Sequence, residues 1–244
     1  MSNTPGGANV GPQLPLALRY PADQRFETFV RPPDGALPSL QALAAQTGAT
    51  WTYIAGAPRS GKTHLALALC AATEQQGRSA AYLPVLAAAG RTREALEALD
   101  GYDVIALDGL EAIAGNREDE VALFDFHNRA RAQAQSVLYT ARGIPDELGL
   151  GLPDLRSRLQ QCMRVMLDPL DDDGRREVLR ERAHRRGLVL DDAALDWLLT
   201  HTQRDLGALV ALLDTLDRAS LAAQRRITVP FLRQTLGSGK PPAA

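Results

Sequence analysis

Gly56-Ala57-Pro58-Arg59-Ser60-Gly61-Lys62-Thr63 is a complete phosphate loop of the form G-x-x-x-x-G-K-[ST]. The apolar run 51–55 precedes it and a helical pattern over 65–72 follows it, which is the strand, loop and helix order that this motif requires. The glycines let the backbone wrap closely around a phosphate, while the loop amides and the positive end of the helix dipole bind the anion. We expect Lys62 to reach the β- and γ-phosphates and Thr63 to ligate Mg²⁺, so the stretch predicts a site for ADP or ATP with magnesium.

Lysine usage supports this interpretation. The chain contains 27 lysine and arginine residues, but lysine occurs only at Lys62 and at Lys240 near the C-terminus. A sequence that otherwise uses arginine therefore has the compact ammonium group where the planar guanidinium group would not substitute for it. The predicted nucleotide contacts in this region are Gly56, Pro58, Arg59, Ser60, Gly61, Lys62, Thr63 and His64.

Bulk composition limits the classes of function. The net charge of −2 at pH 7 excludes a global basic surface for tight nucleic-acid binding, so any DNA contact is expected to be local or indirect. Cys70 and Cys162 are too few for a disulfide framework, and we expect both to be buried thiols. The sequence has neither a secretory signal nor an apolar run of membrane-spanning length, which predicts a soluble, cytoplasmic protein without membrane contact.

A second apolar run, 104–107, ends in Asp108. This pattern is typical of a buried parallel strand whose carboxylate emerges at its C-terminal end, although an acid that only closes a strand is the alternative. In a phosphate-loop protein this acid holds the Mg²⁺ shell through water, so Asp108 joins Thr63 in the predicted metal site. Gly109 follows at the position where an active ATPase of this kind usually carries a second acid. Glu111 is the nearest acid, but it lies two residues beyond that position. We therefore expect weak hydrolysis by the chain itself.

Further apolar runs at 80–85, 136–140 and 165–167 complete a predicted five-stranded parallel sheet. Thr140 ends one of these runs, and its hydroxyl either senses the γ-phosphate or begins a turn. On the helix predicted over 118–134, His127 is expected to be partly exposed, and none of the four histidines is assigned to a metal. From Asp171 onward the pattern is helical only, with leucines at helical spacing between 195 and 216.

The N-terminal region has two interpretable stretches. Gln13-Leu14-Pro15-Leu16-Ala17-Leu18 is either an apolar plug, which composition alone slightly favours, or an extended peptide that presents a glutamine and alternate leucines to a partner. Residues 25–30 form a small aromatic cluster that either packs beside the base of a nucleotide or staples the fold. The predicted organisation is a flexible segment at 1–24, an α/β nucleotide-binding domain at 25–169, a helical lid at 170–236 and a tail at 237–244.

Taken together, five β/α units with these motifs and a small helical lid resemble the AAA+ ATPases. The stretches 61–65, 108–115 and 157–159 are similar to the central domain of the bacterial initiator DnaA. The resemblance covers roughly Arg25 to Leu236, and we expect no room for the helix-turn-helix DNA-binding domain of DnaA. A DnaA-like ATPase of this length with the Gln-Leu-x-Leu-x-Leu peptide ahead of it resembles the Hda family, the regulators that inactivate DnaA, as do residues 216–220 and 223–226.

The resemblance to Hda implies a negative regulator of replication initiation. Such a protein docks on the DNA-loaded β sliding clamp, meets DnaA and stimulates hydrolysis of the ATP bound to DnaA, so that DNA is contacted only through the clamp. Arg158 matches the arginine finger that acts in trans, and Arg204 matches the sensor 2 arginine that reaches the nucleotide from the lid. Self-association stays open. The implied clamp contacts are Gln13, Leu14, Leu16 and Leu18.

Two other functions stay open at this point. A self-acting AAA+ motor, such as a helicase loader, shares the same core and would make the clamp peptide accidental. A non-catalytic adaptor would bind the clamp and DnaA without supplying a catalytic group. The alternative for Arg158 is then a surface salt bridge on an arginine-rich helix. Arg156, two residues earlier on the same short helix, points elsewhere and serves as the internal control.

Overall fold

The structure is a computed structural model that describes residues 20–21, 23–46, 48–201, 212–213, 215–216 and 227–236. Its centre is a parallel sheet of five strands in the order β2-β3-β4-β1-β5, which confirms the predicted fold class. The strands are β1 (Trp51–Gly56), β2 (Ala80–Pro84), β3 (Val104–Asp108), β4 (Ser136–Ala141) and β5 (Met163–Leu167).

Eight helices whose two ends both lie in the described part of the chain accompany the sheet. They are α1 (Ala36–Ala45), α2 (Lys62–Gln75), α3 (Thr92–Glu97), α4 (Arg117–Ala132), α5 (Pro153–Gln160), α6 (Asp172–Arg185), α7 (Asp192–His201) and α8 (Val229–Leu236). Three short 3₁₀ turns lie at Phe26–Thr28, Val85–Ala88 and Leu110–Ala112. Among the described residues, no helix has the length and apolar character needed to cross a bilayer.

Helices cover both faces of the sheet, and this is why its strands are continuous apolar runs. On one face α3, α4 and α5 pack over Tyr53 and Tyr139. On the other face α1 and α2 pack over Ile54 and Leu138. The parallel arrangement brings the C-terminal ends of all five strands to one edge of the sheet, and the phosphate loop leaves β1 at that edge.

The helices after the sheet form a separate apolar core. Leu195, Leu198, Leu213 and Leu216 are buried in it together with residues of α6 and α8, as their spacing predicts. Ion pairs join this lid to the residues that precede α1. Arg31 donates to Asp171 and Glu177 at 2.9 Å each, and Arg182 of α6 pairs with Asp23.

One predicted exposure is wrong. His127 is buried, with 1% of its surface exposed, because α4 turns this side chain toward the sheet. Its ring packs edge-on at 4.4 Å from the ring of Trp51, and its Nδ1 lies 2.9 Å from the hydroxyl of Tyr139. Cys70 and Cys162 are both buried free thiols, as expected. The clamp peptide at 13–18 and Arg204 lie outside the described residues, so their roles stay predictions.

Candidate nucleotide-binding site

The phosphate loop joins the C-terminal end of β1 to the first residue of α2. Gly61 precedes α2 with a φ of 101°, a left-handed conformation that favours glycine. A methyl group at Gly61 would lie 2.6 Å from Cε2 of Phe29, and one at Gly56 would lie 2.6 Å from the carbonyl oxygen of Leu167. Close packing therefore requires glycine at both positions, and at Gly61 the backbone conformation requires it as well.

Lys62 lies folded against the loop that precedes it. Its ammonium group donates to the carbonyl oxygens of Gly56 at 2.7 Å and Ala57 at 2.8 Å, and only 9% of the residue is exposed. Burial lowers the pKa of Lys62, and the charges of Glu111 and Asp108 partly oppose this effect. A desolvated ammonium group in this position would gain from a bound phosphate.

The Ser60 hydroxyl is also suited to an anion. It is buried and has no hydrogen-bond partner within the described part of the chain. A buried hydroxyl without a partner carries a desolvation cost, which a phosphate oxygen inside the loop would remove. The loop therefore fits the predicted phosphates on an observation that is independent of the motif.

Asp108 is the centre of a hydroxyl network at the ends of β2, β3 and β4. Its carboxylate accepts hydrogen bonds from Thr63 at 2.7 Å, from Tyr82 at 2.9 Å and from Thr140. Thr140 lies directly across from Asp108 in the sheet register and also accepts from the amide of Gly109 at 3.0 Å. The hydroxyl and carboxylate oxygens of Thr63 and Asp108 are hard ligands that suit Mg²⁺.

Glu111 lies just beyond Gly109, in the 3₁₀ turn that follows β3. Its carboxylate pairs with Arg142, at 3.0 Å from the side-chain Nε and 3.2 Å from the backbone amide. Gly109 itself has a φ of 89° and begins this turn. The acid that follows the strand is thus already engaged in an ion pair with a residue at the end of β4.

His64 follows the loop and faces the turn at Phe26–Thr28. Its Nε2 lies 2.9 Å from the carbonyl oxygen of Arg25 and 3.0 Å from the hydroxyl of Thr28. Because a carbonyl oxygen only accepts hydrogen bonds, we assign the proton to Nε2. Burial lowers the pKa of His64, so the ring is neutral near pH 7.

A cavity of about 320 Å³ opens beside the phosphate loop. Phe29 and Arg31 line it from the segment before α1, Gly61 and His64 line it from the loop and α2, and Arg182 lines it from the lid. Its position next to the loop suits the base and ribose of a nucleotide whose phosphates lie in the loop. The sequence suggested residues 25–30 as this neighbourhood, but among the residues of the lid it pointed to Arg204 and not to Arg182.

Arg158 lies at the opposite edge of the sheet. It is close to the end of α5, which leads into the start of β5. In the sheet register β5 begins beside Thr52 of β1, whereas the phosphate loop begins after Gly56, which pairs with Leu167. Four residues of strand separate these levels, about 13 Å at 3.3 Å per residue. The partly exposed Arg158 side chain forms no hydrogen bond or ion pair with any described residue.

The structure thus brings most of the predicted site residues together. The loop residues 56–63, His64, Asp108 and Thr140 meet at the C-terminal edge of the sheet, and Arg158 lies away from them. Tyr82 was missed, since only the strand order puts it beside Asp108. The local sequence offers one weak signal, a tyrosine two residues before the end of a strand.

Comparisons with known proteins agree with this fold. Residues 172–236 match the family model described as the Hda lid domain. The chain is similar to domain III of the replication initiation protein DnaA from Thermotoga maritima, at 18% identity over 91% of this chain and 98% of that one, with a TM-score of 0.73. It is also similar to AMPPCP-bound DnaA from Aquifex aeolicus, at 21% identity over 84% and 71% of the two chains, with a TM-score of 0.61. The RuvB Holliday junction branch migration motor of Thermotoga maritima matches at 17% identity over 87% and 71%, with a TM-score of 0.62.

Proposed function

We propose that this chain, an AAA+ protein related to Hda and DnaA, negatively regulates replication initiation. It binds ADP or ATP at its own phosphate loop and acts in the cytoplasm on DnaA. It supplies Arg158 to the nucleotide site of DnaA and thereby stimulates hydrolysis of the ATP bound there.

The nucleotide of the chain itself would lie between the phosphate loop and the lid. Lys62, the Ser60 hydroxyl and the loop amides bind phosphates, while the cavity beside Phe29 and His64 takes the base. Magnesium bound to Thr63, with Asp108 reached through water, would neutralise phosphate charge. The AMPPCP-bound DnaA structure with the same fold supports an adenine nucleotide as the ligand class.

The position of Arg158 carries the proposal for action in trans. A guanidinium group at the far edge of the sheet does not reach the phosphates in its own loop, but it is available to a neighbouring molecule. An arginine finger neutralises charge on the transferring phosphoryl group and is worth about 10³ to 10⁵ in rate. This corresponds to roughly 4 to 7 kcal/mol of barrier.

Docking on the β sliding clamp completes the proposal. The peptide at 13–18 carries the glutamine and alternate leucines of a clamp ligand, and the clamp would supply the DNA contact that a chain of net charge −2 lacks. A short peptide binds weakly, but a tether raises the effective concentration of the second contact to the millimolar range.

A self-acting motor is the second candidate. The complete loop, with Thr63 and Thr140 both bonded to Asp108, favours some hydrolysis by the chain itself. Gly109 in place of a second acid, and Glu111 paired with Arg142, weigh against vigorous turnover.

The experiment follows hydrolysis of labelled ATP on DnaA in the presence of DNA-loaded clamp. The unaltered chain should stimulate it, and Arg158→Ala and Gln13→Ala should each abolish the stimulation. Arg156→Ala is the matched control, because Arg156 lies on the same helix and pairs with Asp146 at 3.8 Å. Stimulation that survives Arg158→Ala would leave an adaptor, while turnover of ATP by the chain alone, with DnaA unaffected, would favour the motor.

A further inference from the structure

Glu120 is a buried carboxylate in the first turn of α4. Only 1% of its surface is exposed, and the helix presents it to the loop that precedes α5. Buried carboxylates require several hydrogen bonds, since burial of an unpaired charge is costly. Within the described part of the chain, Glu120 meets this requirement with backbone amides alone.

Three amides from two segments bind this carboxylate. Oε1 accepts from the amides of Gly115 at 2.8 Å and Gly151 at 3.0 Å, and Oε2 accepts from the amide of Leu152 at 2.7 Å. Gly115 ends the segment that follows Asp108, whereas Gly151 and Leu152 lead directly into α5. One side chain therefore joins the segment between β3 and α4 to the start of α5.

The start of α5 has no cap of its own. Leu152 is the residue before the helix and offers no side-chain acceptor, and Pro153 opens the helix without an amide hydrogen. Glu120 supplies the negative group that a helix start favours. Otherwise α5 is held by the buried side chains of Leu155 and Leu159 and by two exposed polar contacts of its later residues with Asp146. Exposed polar contacts restrain a helix weakly, so the buried carboxylate is the main polar restraint at its start.

Arg158 lies five residues beyond Pro153 on the same helix. At 1.5 Å per residue it is within about 8 Å of the helix start, so a change in the direction of α5 moves it directly. Misplacement of a catalytic group by about 1 Å can reduce a rate 10²-fold. The direction of α5 is consequently a determinant of how well a finger on this helix works.

We infer that Glu120 is the positioning residue of the arginine finger. Its carboxylate sets the start of α5 through the amides of Gly151 and Leu152 and so sets where Arg158 projects. The inference rests on the proposed function, because only a finger that acts on a partner needs this alignment. Glu120 itself contacts no nucleotide and acts through Arg158.

The test compares Glu120→Gln with Glu118→Gln in the assay of DnaA-bound ATP hydrolysis with DNA-loaded clamp. Glutamine retains the shape of the side chain but replaces one acceptor oxygen with a donor, and Glu118 is exposed in the same helical turn. We expect Glu120→Gln to lower the maximal stimulation about 10- to 100-fold. The concentration of the chain at half-maximal stimulation and its own affinity for ADP should not change, and Glu118→Gln should behave as the unaltered chain.

A second background separates positioning from a general structural role. Arg158→Lys retains a cation but loses the planar fork, so stimulation is weakened and still measurable. If Glu120 acts through Arg158, Glu120→Gln costs much less in the Arg158→Lys background than in the unaltered chain. Hydrogen exchange at Gly151 and Leu152 should be at least about tenfold faster in Glu120→Gln.

Several outcomes would overturn the inference. The inference fails if Glu120→Gln stimulates DnaA fully. It also fails if Glu120→Gln lowers stimulation by the same factor in the unaltered chain and in Arg158→Lys, or if the loss of stimulation parallels a loss of the variant's own ADP affinity. If Glu120→Gln does not fold, Glu120→Asp carries the same test, because it retains the charge and withdraws the carboxylate by one methylene. If Arg158→Ala loses stimulation while Glu120→Gln retains it in full, only this inference fails. If Arg158→Ala retains full stimulation, the proposed function fails as well.

Discussion

Acidification should destabilise this chain through His127. The ring is buried beside Trp51, Nδ1 lies 2.9 Å from the Tyr139 hydroxyl, and Nε2 has no hydrogen-bond partner among the described residues. A proton on this ring would create a buried cation. Burial first, and then the charges of Arg158 and Arg131, lower the pKa of His127 to about 4.

The magnitude follows from the difference between this pKa and the ordinary value of 6.5. Each unit corresponds to about 1.4 kcal/mol, so the shift from 6.5 to about 4 is worth about 3 kcal/mol. Between these pH values the unfolded chain binds a proton that the folded chain does not bind. The stabilisation is therefore complete above pH 6.5 and is lost as the pH falls toward 4. His64, whose pKa burial also lowers, adds to the effect with the same sign.

The assay is urea unfolding at a series of pH values between about 4 and 7. The variant His127→Phe/Tyr139→Phe removes both partners of the hydrogen bond together, which avoids an orphaned polar group. It should lose about 3 kcal/mol of the acid dependence. His184→Gln, at an exposed position of α6, is the control and should retain the full dependence. Parallel curves for the double variant and the unaltered chain would refute a neutral buried ring at His127.

Two further predictions concern the nucleotide site. Gly61→Ala should cost about 1–3 kcal/mol of stability in urea unfolding and abolish ADP binding, because its methyl group meets Phe29 at 2.6 Å and its φ of 101° is strained for alanine. Gly77→Ala, with a φ of 72° but nothing within 4 Å, should retain ADP binding and serves as the control. Thr140→Val should cost about 1–3 kcal/mol and weaken magnesium-dependent ADP binding in calorimetry, because the Asp108 carboxylate loses a donor. Thr140→Ser should restore most of the binding, and a serine variant as weak as valine would contradict the role of the hydroxyl.

Local sequence patterns predicted the framework well. The phosphate loop, the strand that ends in Asp108 and the run that ends in Thr140 are each short segments whose residue order reports burial and backbone shape. Parallel strands end at one edge, so the meeting of Thr63, Asp108 and Thr140 followed once the strands were recognised. His127 was mispredicted because its environment depends on which face of α4 packs against β1 and β4.

The sequence by itself determined the phosphate loop, the fold class and the chemistry available near the nucleotide, because these depend on residues adjacent in the chain. Only the tertiary structure decided that Tyr82 reaches Asp108, that Arg182 lines the cavity, and that Glu120 binds the start of α5. The two hydrogen-bonded pairs are far apart in the chain, by 26 residues for Tyr82 and Asp108 and by 32 for Glu120 and Leu152. Strand order and helix docking set such contacts. Both arise from the burial of apolar surface, which is non-directional and depends on the whole chain, so no single stretch of residues predicts them.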